Sequence, residues 1–326
     1  MKFHILCLGF ILGGNMKLFR LLTIGLILSL GLVGCAANEP AVEENKVTGT
    51  INVYTRDASS GTRGAFEEFI KLEDKLTVSA IEVTGNGDMA VKVGEDLNGI
   101  GYVSLTTDFA ANGITPLSYK GVEATEENVI NKSYELARPF EFVTRASGDF
   151  VSEDQELVVL AFTDFLMNSV EGREVVFAAG GIVDVDSGTA WDTLKANHPV
   201  LNKDLSSVVL KTGGSTSVEK TLKAALEAFQ ALTGVQFEMN HTGSSDGFKR
   251  TLGAEKDSAN AIDIGFASRY FKAEETVNLG ASTGVYCMDA IVVVVNDENT
   301  LLNDADTDLI FNIFSGAIST WEDLAK

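Results

Sequence analysis

The chain has 326 residues, with 25 Lys and Arg against 46 Asp and Glu and a formal charge of −21. So acidic a surface disfavours nucleic acid and anionic lipid as partners. Of the three cysteines only Cys287 lies beyond residue 35, which excludes a disulfide framework and leaves a hydrophobic core to hold the fold.

The first 35 residues read as an address. Met16, Lys17, Leu18, Phe19 and Arg20 make a short basic start, and an apolar run follows over 21–33. The run is too short for a comfortable membrane span and ends in Leu32-Val33-Gly34-Cys35, the pattern of a bacterial lipoprotein cleavage site. Cys35 is therefore the expected lipidation site, with the protein extracytoplasmic and anchored to the outer face of the cell membrane. An uncleaved N-terminal anchor is the competing reading, and Met1 and Met16 are both candidate starts. Residues 1–34 hold Lys2, Lys17 and Arg20 and no acid, so the remaining 292 residues (326 less 34) carry 22 basic and 46 acidic groups, a charge of −24. That length suits two domains. Residues 36–46 read as a tether.

Beyond the tether, strand-like and helical runs alternate, which predicts an α/β fold. Residues 51–54 are strand-like, and 62–72 place Ala65, Phe66, Phe69 and Ile70 on one helical face. A Gly-punctuated strand is predicted over 98–105. A helix over 157–177 would turn Leu160, Ala161, Phe165 and Leu166 inward. After a weakly periodic connector at 184–207, a strand at 208–211 leads to a helix over 217–232 with Leu222, Ala225, Leu226, Phe229 and Leu232 on its apolar side. The unbroken run Ala290-Ile291-Val292-Val293-Val294-Val295 reads as a strand buried on both faces.

Four loops share one chemistry. "TRDASSGTRGAFEEF" from Thr55 runs from strand through Gly, Ser and Thr into a helix, as do "TGGSTSVEKTL" from Thr212 and "NHTGSSDGFKRTL" from Asn240; "DIGFASRYF" from Asp263 is a shorter version. The first turn of a helix has unpaired N–H groups at the positive end of the peptide dipoles, so it attracts an anion. Glycine lets backbone approach closely, and Ser or Thr adds an O–H donor. One such loop alone is adequately explained by helix capping. Clustered Gly with two or three hydroxyls, four times over, is more than caps need. Net charge does not forbid such a site. Charge-assisted hydrogen bonds contribute about 1.5–3 kcal/mol each, a micromolar site needs only about 8 kcal/mol, and charges beyond about 8 Å are largely screened at physiological salt.

The segments "TRDASSGTRGAFEEF", "IGYVSL", "GGSTSV", "TGSSDGF", "DIGFASR" and "FSGAISTW" resemble the phosphate-binding lipoproteins of high-affinity phosphate ABC importers. The resemblance spans about residues 49–326. It implies a two-lobed periplasmic-binding-protein fold (type II-like) with the ligand in the cleft between lobes. It further implies inorganic phosphate as ligand, ABC permease transmembrane subunits as partners, a monomeric state, and no cofactor. Carried over residue by residue, the family's contacts fall on Arg56, Ser60, Gly61 and Thr62 in one lobe and on Thr216, Ser244 and Ser268 in the other, with Ser217 beside them. Some members place an aspartate at or beside the Ser268 position to accept the proton of hydrogen phosphate. Here Ser268-Arg269 stands instead, and Asp57 and Asp246 are the alternative acceptors.

The order of segments differs from the family's. The chain begins at the arginine strand, reaches the family's usual C-terminal end near Val185, and only then starts "GGSTSV". That implies a circular permutation, with a fragment of a tandem duplication or a misjoined gene as the alternative. The expected lobes are 47–140 plus 288–326, and 141–287, with the connector 184–207 inside the second and hinge crossings near Pro139-Phe140 and 288–290. On this reading Lys326 should lie near the start of the first strand.

Other functions compete with transport. An enzyme would need a base beside a serine nucleophile, and only His198 and His241 remain in the mature chain, with no nucleophile-elbow or Walker pattern. No Cys/His cluster or calcium-loop spacing predicts a metal. A sensor or adhesive lipoprotein with the same fold, or a binder of another tetrahedral oxyanion such as sulfate, fits the same residues.

Overall fold

The computed structural model describes residues 47–277 and 280–325. The expected signal stretch, the Cys35 lipid site and the tether lie outside them, as does Lys326. The first half of the chain forms β1 (Asn52–Arg56), α1 (Gly61–Ile70), β2 (Ile81–Val83), α2 (Asn86–Gly94), β3 (Gly99–Ser104), β4 (Ile114–Pro116), β5 (Ser118–Tyr119), α3 (Glu126–Ile130) and β6 (Ala137–Thr144). Next come α4 (Glu153–Asn168), α5 (Val170–Ala178), α6 (Trp191–Leu194), β7 (Val209–Gly214), α7 (Glu219–Thr233) and β8 (Gln236–His241). The last elements are α8 (Ser244–Thr251), β9 (Ile264–Ala267), β10 (Thr283–Asn296), β11 (Asp304–Ala305) and α9 (Thr307–Phe314).

Most of the strands join in one path, β2-β1-β3-β10-β6-β9-β7-β8, with β4 added to β10. β1 pairs in parallel with β2 and β3, and β7 in parallel with β8 and β9, with α1 linking β1 to β2 and α7 linking β7 to β8. β10 and β6 lie antiparallel between these two groups. β10 is 14 residues long, well beyond a common strand, because its β-branched run continues through Met288 and Asp289 toward Thr283.

The sheet carries two hydrophobic cores. One is built from 47–136 and 290–321, with Ile182 added, around Phe66, Tyr102 and Phe314, and the Phe66 and Tyr102 rings are stacked at 4.0 Å. The other is built from 140–287 around Phe162, Phe165, Phe229 and Trp191. The chain passes between them on β6 and β10, which run side by side with Arg138 opposite Asp289 and Pro139 opposite Met288.

Three local expectations are corrected. The single helix over 157–177 is two, because Ser169 is extended (ψ 145) and caps α5 by accepting from Gly172 N. Leu160 and Leu232, expected to face inward, are exposed; Val158 and Phe162 fill the core in place of Leu160, while Leu222, Ala225, Leu226 and Phe229 are buried as expected. Residues 184–207 are more than a connector, since α6 and two short 3-10 turns bury Trp191, Val200 and Leu205 in the second core.

Near its C-terminal end the chain is fastened to the start of β1. Thr50 bridges Thr320, Ile51 N donates to Ser319 O at 2.9 Å, and Trp321 N donates to Gly49 O at 3.0 Å. Trp321 is buried beside this seam.

Candidate functional site

β1 ends in Arg56, whose side chain is only 1% exposed. Its Nη2 donates to Thr84 O at 3.3 Å and to Thr216 Oγ1 across the cleft at 3.1 Å, while its Nε has no partner. Burial pulls the Arg56 guanidinium down from its ordinary range, and neighbouring Asp57 pulls against that. Asp57 accepts from Ser59 through Oδ1, leaving Oδ2 buried, without a hydrogen bond and 3.8 Å from Arg56 Nη2. Ser60 then caps α1, accepting from Arg63 N at 3.2 Å, and its own O–H is left free to donate. Gly61 opens the helix against Ser244 of the other lobe: a Cβ there would sit 2.1 Å from Ser244 Oγ and 2.6 Å from Ser244 Cβ.

The second lobe contributes three more turns. Gly214 closes β7 at φ +114, a left-handed conformation that glycine alone takes readily, and a Cβ there would meet Phe266 O at 2.1 Å. That turn delivers Ser215, which caps the following 3-10 turn, then Thr216 and Ser217. Thr216 Oγ1 accepts from Arg56 and from Asn86 N at 3.2 Å, so its own hydrogen is free to donate elsewhere. Ser217 Oγ lies 2.9 Å from Thr62 Oγ1, and Ser268 Oγ lies 3.5 Å from it. Ser244, at the start of α8, accepts from Ser268 N at 3.0 Å. The structure thus brings all of Arg56, Ser60, Gly61, Thr62, Thr216, Ser217, Ser244 and Ser268 to one place, where helix starts from both lobes face each other.

Arg138 is the residue that sequence reasoning missed. It rises from β6 between the lobes, 2% exposed. Its Nε and Nη2 donate to Asp289 Oδ2 at 3.0 and 2.9 Å, Nη1 donates to Thr62 Oγ1 at 2.7 Å and Ser268 Oγ at 3.2 Å, and Nη2 also donates to Ser217 Oγ at 3.2 Å. Asp289 is completed by Ser104 Oγ at 2.8 Å and Leu105 N at 3.1 Å. Burial pushes the Asp289 carboxyl up, and Arg138 opposes this. A signal for the pair was present: "LARPF" and "CMDAI" each carry one charge in an apolar strand, at the two expected hinge crossings.

Other candidates are occupied elsewhere. Arg63 pairs with Glu67 and Glu82. Arg269 holds Glu275 with both Nη atoms, at 2.6 and 2.8 Å. Asp246 Oδ2 accepts from Thr242 Oγ1 at 2.6 Å, whereas Asp57 lies directly beside Arg56. Among the described residues no group of three or more His, Cys, Asp and Glu could hold a metal ion, and no helix is long and apolar enough to cross a membrane.

His241, at the end of β8, props the Ser215 turn. Its Nδ1 donates to Ser215 O at 2.9 Å, so Nε2 is left to accept from Thr212 Oγ1 at 3.3 Å. Burial lowers its pKa from 6.5 to about 4. Between those values the unfolded chain takes up a proton that the folded chain refuses. Stability should therefore be full above pH 6.5 and fall by up to about 3 kcal/mol as pH drops toward 4. Urea midpoints measured across that window should fall less steeply for His241→Gln than for the wild type; parallel curves would show that His241 is not the group responsible.

Comparison with known proteins gives the arrangement its context. Residues 188–326 match a PBP superfamily domain. The chain is 28% identical to phosphate-binding protein PstS 2 of Streptococcus agalactiae serotype V over 320 residues, covering 95% of this chain and 99% of the relative. It is 30% identical to PstS 2 of Streptococcus pneumoniae serotype 4 over 316 residues, covering 94% and 98%. The crystal structure of a phosphate ABC transporter phosphate-binding protein from Streptococcus pneumoniae TIGR4 superposes with a TM-score of 0.59 at 27% identity, covering 85% of this chain and all of that one. A two-lobed α/β fold and near end-to-end similarity at up to 30% identity lead to one conclusion: the chain belongs to the PstS family of phosphate-binding proteins, within the periplasmic-binding-protein superfamily.

Proposed function

We propose that this protein captures inorganic phosphate between its lobes, held outside the cell membrane by lipid on Cys35, and delivers it as a monomer to the transmembrane subunits of an ABC permease. One observation carries the ligand assignment. Arg56 is buried with an unpartnered Nε, and its Nη2 reaches Thr216 Oγ1 at a helix start of the other lobe. In this reading Arg56 supplies the ionic bond, Ser60, Thr62, Thr216, Ser217, Ser244 and Ser268 donate O–H or N–H bonds, and Gly61 donates its N–H. The names of the streptococcal relatives point to the same ligand. Asp57 Oδ2, which accepts no hydrogen bond, favours phosphate over sulfate, because a carboxylate accepts the proton of hydrogen phosphate and repels an oxyanion without one.

The two cores support lobes of 47–140 plus 288–326, and 141–287, with β6 and β10 as the hinge. A permuted order is supported by the fastening of residues 319–322 to 49–51 and by a superfamily match that starts only at residue 188. End-to-end similarity to the streptococcal relatives argues for an inherited order over a misjoined gene.

The test is calorimetric titration of the purified protein with phosphate and then sulfate at physiological salt, alongside membrane fractionation of the wild type and Cys35→Ala. Micromolar or tighter phosphate binding with sulfate ignored is expected, and Cys35→Ala should leave the membrane fraction. Equal affinity for both anions would remove the specificity. No binding by the folded protein would favour a sensor or adhesive lipoprotein.

A further inference from the structure

Resting on the phosphate reading, we infer that Arg138, held by Asp289, is a positioning residue that fixes the cleft hydroxyls as hydrogen-bond donors. A guanidinium has five N–H donors and no acceptor, so any hydroxyl in contact with it must accept. Arg138 makes such contacts with Thr62, Ser217 and Ser268, one hydroxyl from the first lobe and two from the second. A hydroxyl has one hydrogen, and a lone pair turned toward Arg138 turns that hydrogen away from it; one hydrogen of the Thr62 and Ser217 pair bridges their own 2.9 Å contact, and the other points into the cleft. Ser268 also accepts from Ser215 Oγ at 2.9 Å, so both of its lone pairs are taken and its hydrogen alone remains.

Asp289 makes the arrangement rigid. It takes Nε and one Nη2 hydrogen, the edge of the fork away from the hydroxyls, and is itself held by Ser104 and Leu105. Asp289 and Arg138 are register partners on β10 and β6, the two strands on which the chain crosses between lobes. The device therefore sits at the hinge, and the contacts of Arg138 to Thr62 on one side and to Ser217 and Ser268 on the other exist together only when the lobes meet. Arg138 acts through these hydroxyls, since its own five hydrogens are engaged.

A double-mutant cycle on phosphate affinity tests this. Arg138→Gln is expected to weaken binding about 30-fold or more, because the glutamine carbonyl can accept from the hydroxyls and turn their hydrogens away from the ligand. Ser217→Ala should cost about tenfold in the wild type but less than threefold in the Arg138→Gln background. Arg138→Lys, which keeps donors only, should recover part of the loss. If Arg138→Gln fails to fold by thermal melting, the cycle is run on Arg138→Gln/Asp289→Asn, which leaves no buried carboxylate unpaired. Additive losses at Arg138 and Ser217, or an Arg138→Lys no better than Arg138→Gln, would overturn the inference while leaving phosphate binding intact. Failure of the wild type to bind phosphate would overturn the reading on which it rests.

Discussion

Arg56→Ala is expected to raise the Kd for phosphate at least a hundredfold, and Arg269→Ala by less than about fivefold. Both side chains are similarly hidden, at 1% and 9% exposure, so solvent screening does not separate them. What separates them is their partners. Arg269 holds a carboxylate in both arms, with Glu275 at 2.6 and 2.8 Å, and its charge is already compensated. Arg56 has its carboxylate, Asp57, only at 3.8 Å, donates otherwise to the neutral Thr84 O and Thr216 Oγ1, and keeps a free Nε. Two charge-assisted bonds from Arg56 to an oxyanion amount to about 3–6 kcal/mol, and about 2.7 kcal/mol is already a hundredfold in Kd. Arg56→Lys should fall in between, because an ammonium keeps the charge and loses the planar fork. Titration calorimetry with a thermal melt as fold control reads all three. If Arg56→Ala and Arg269→Ala were both silent in folded protein, the cleft would not be the phosphate site.

The loops that meet in the cleft were more legible in the sequence than the local breaks and register of the frame that carries them. Loops such as "SSGTR" and "GGSTSV" announce themselves because they need residue types, Gly beside Ser and Thr, that ordinary strand ends and caps do not need together. Arg138 escaped for the opposite reason: one arginine in "LARPFEFV" has the form of a surface charge, and only the register of β6 against β10 brings it to Asp289, 151 residues away. Helix breaks were similarly hidden. Ser169 interrupts a run whose apolar spacing continues through it, because its side chain caps the next helix rather than extending the last. Leu232 fits the apolar spacing of α7 yet lies in its last turn, past the point where the core still covers the helix.

Gly61→Ala is expected to weaken phosphate binding by about fivefold or more, whereas Gly64→Ala, three residues along the same helix, should leave it unchanged. A methyl group at residue 61 would sit 2.6 Å from Ser244 Cβ and 3.2 Å from Arg269 Cγ, all across the cleft; at residue 64 it would meet nothing within 4 Å. Alanine keeps the N–H that Gly61 offers to the anion, so any loss comes from the approach of the lobes and not from a missing donor. Overpacking of this kind costs about 1–3 kcal/mol. That strain falls on the closed form alone, because opening the cleft removes Ser244 from the clash. A penalty confined to the binding-competent state lowers apparent affinity by the same free energy, about 5- to 150-fold. Gly64→Ala should instead raise the melting temperature of the ligand-free protein by about 1–3 °C, through the lower unfolded-state entropy of alanine within a helix. Small-angle scattering with saturating phosphate adds the conformational readout: the wild type and Gly64→Ala should both compact, and Gly61→Ala should compact less at the same occupancy. Wild-type affinity and compaction in Gly61→Ala would mean that the lobes do not close through the contact between Gly61 and Ser244.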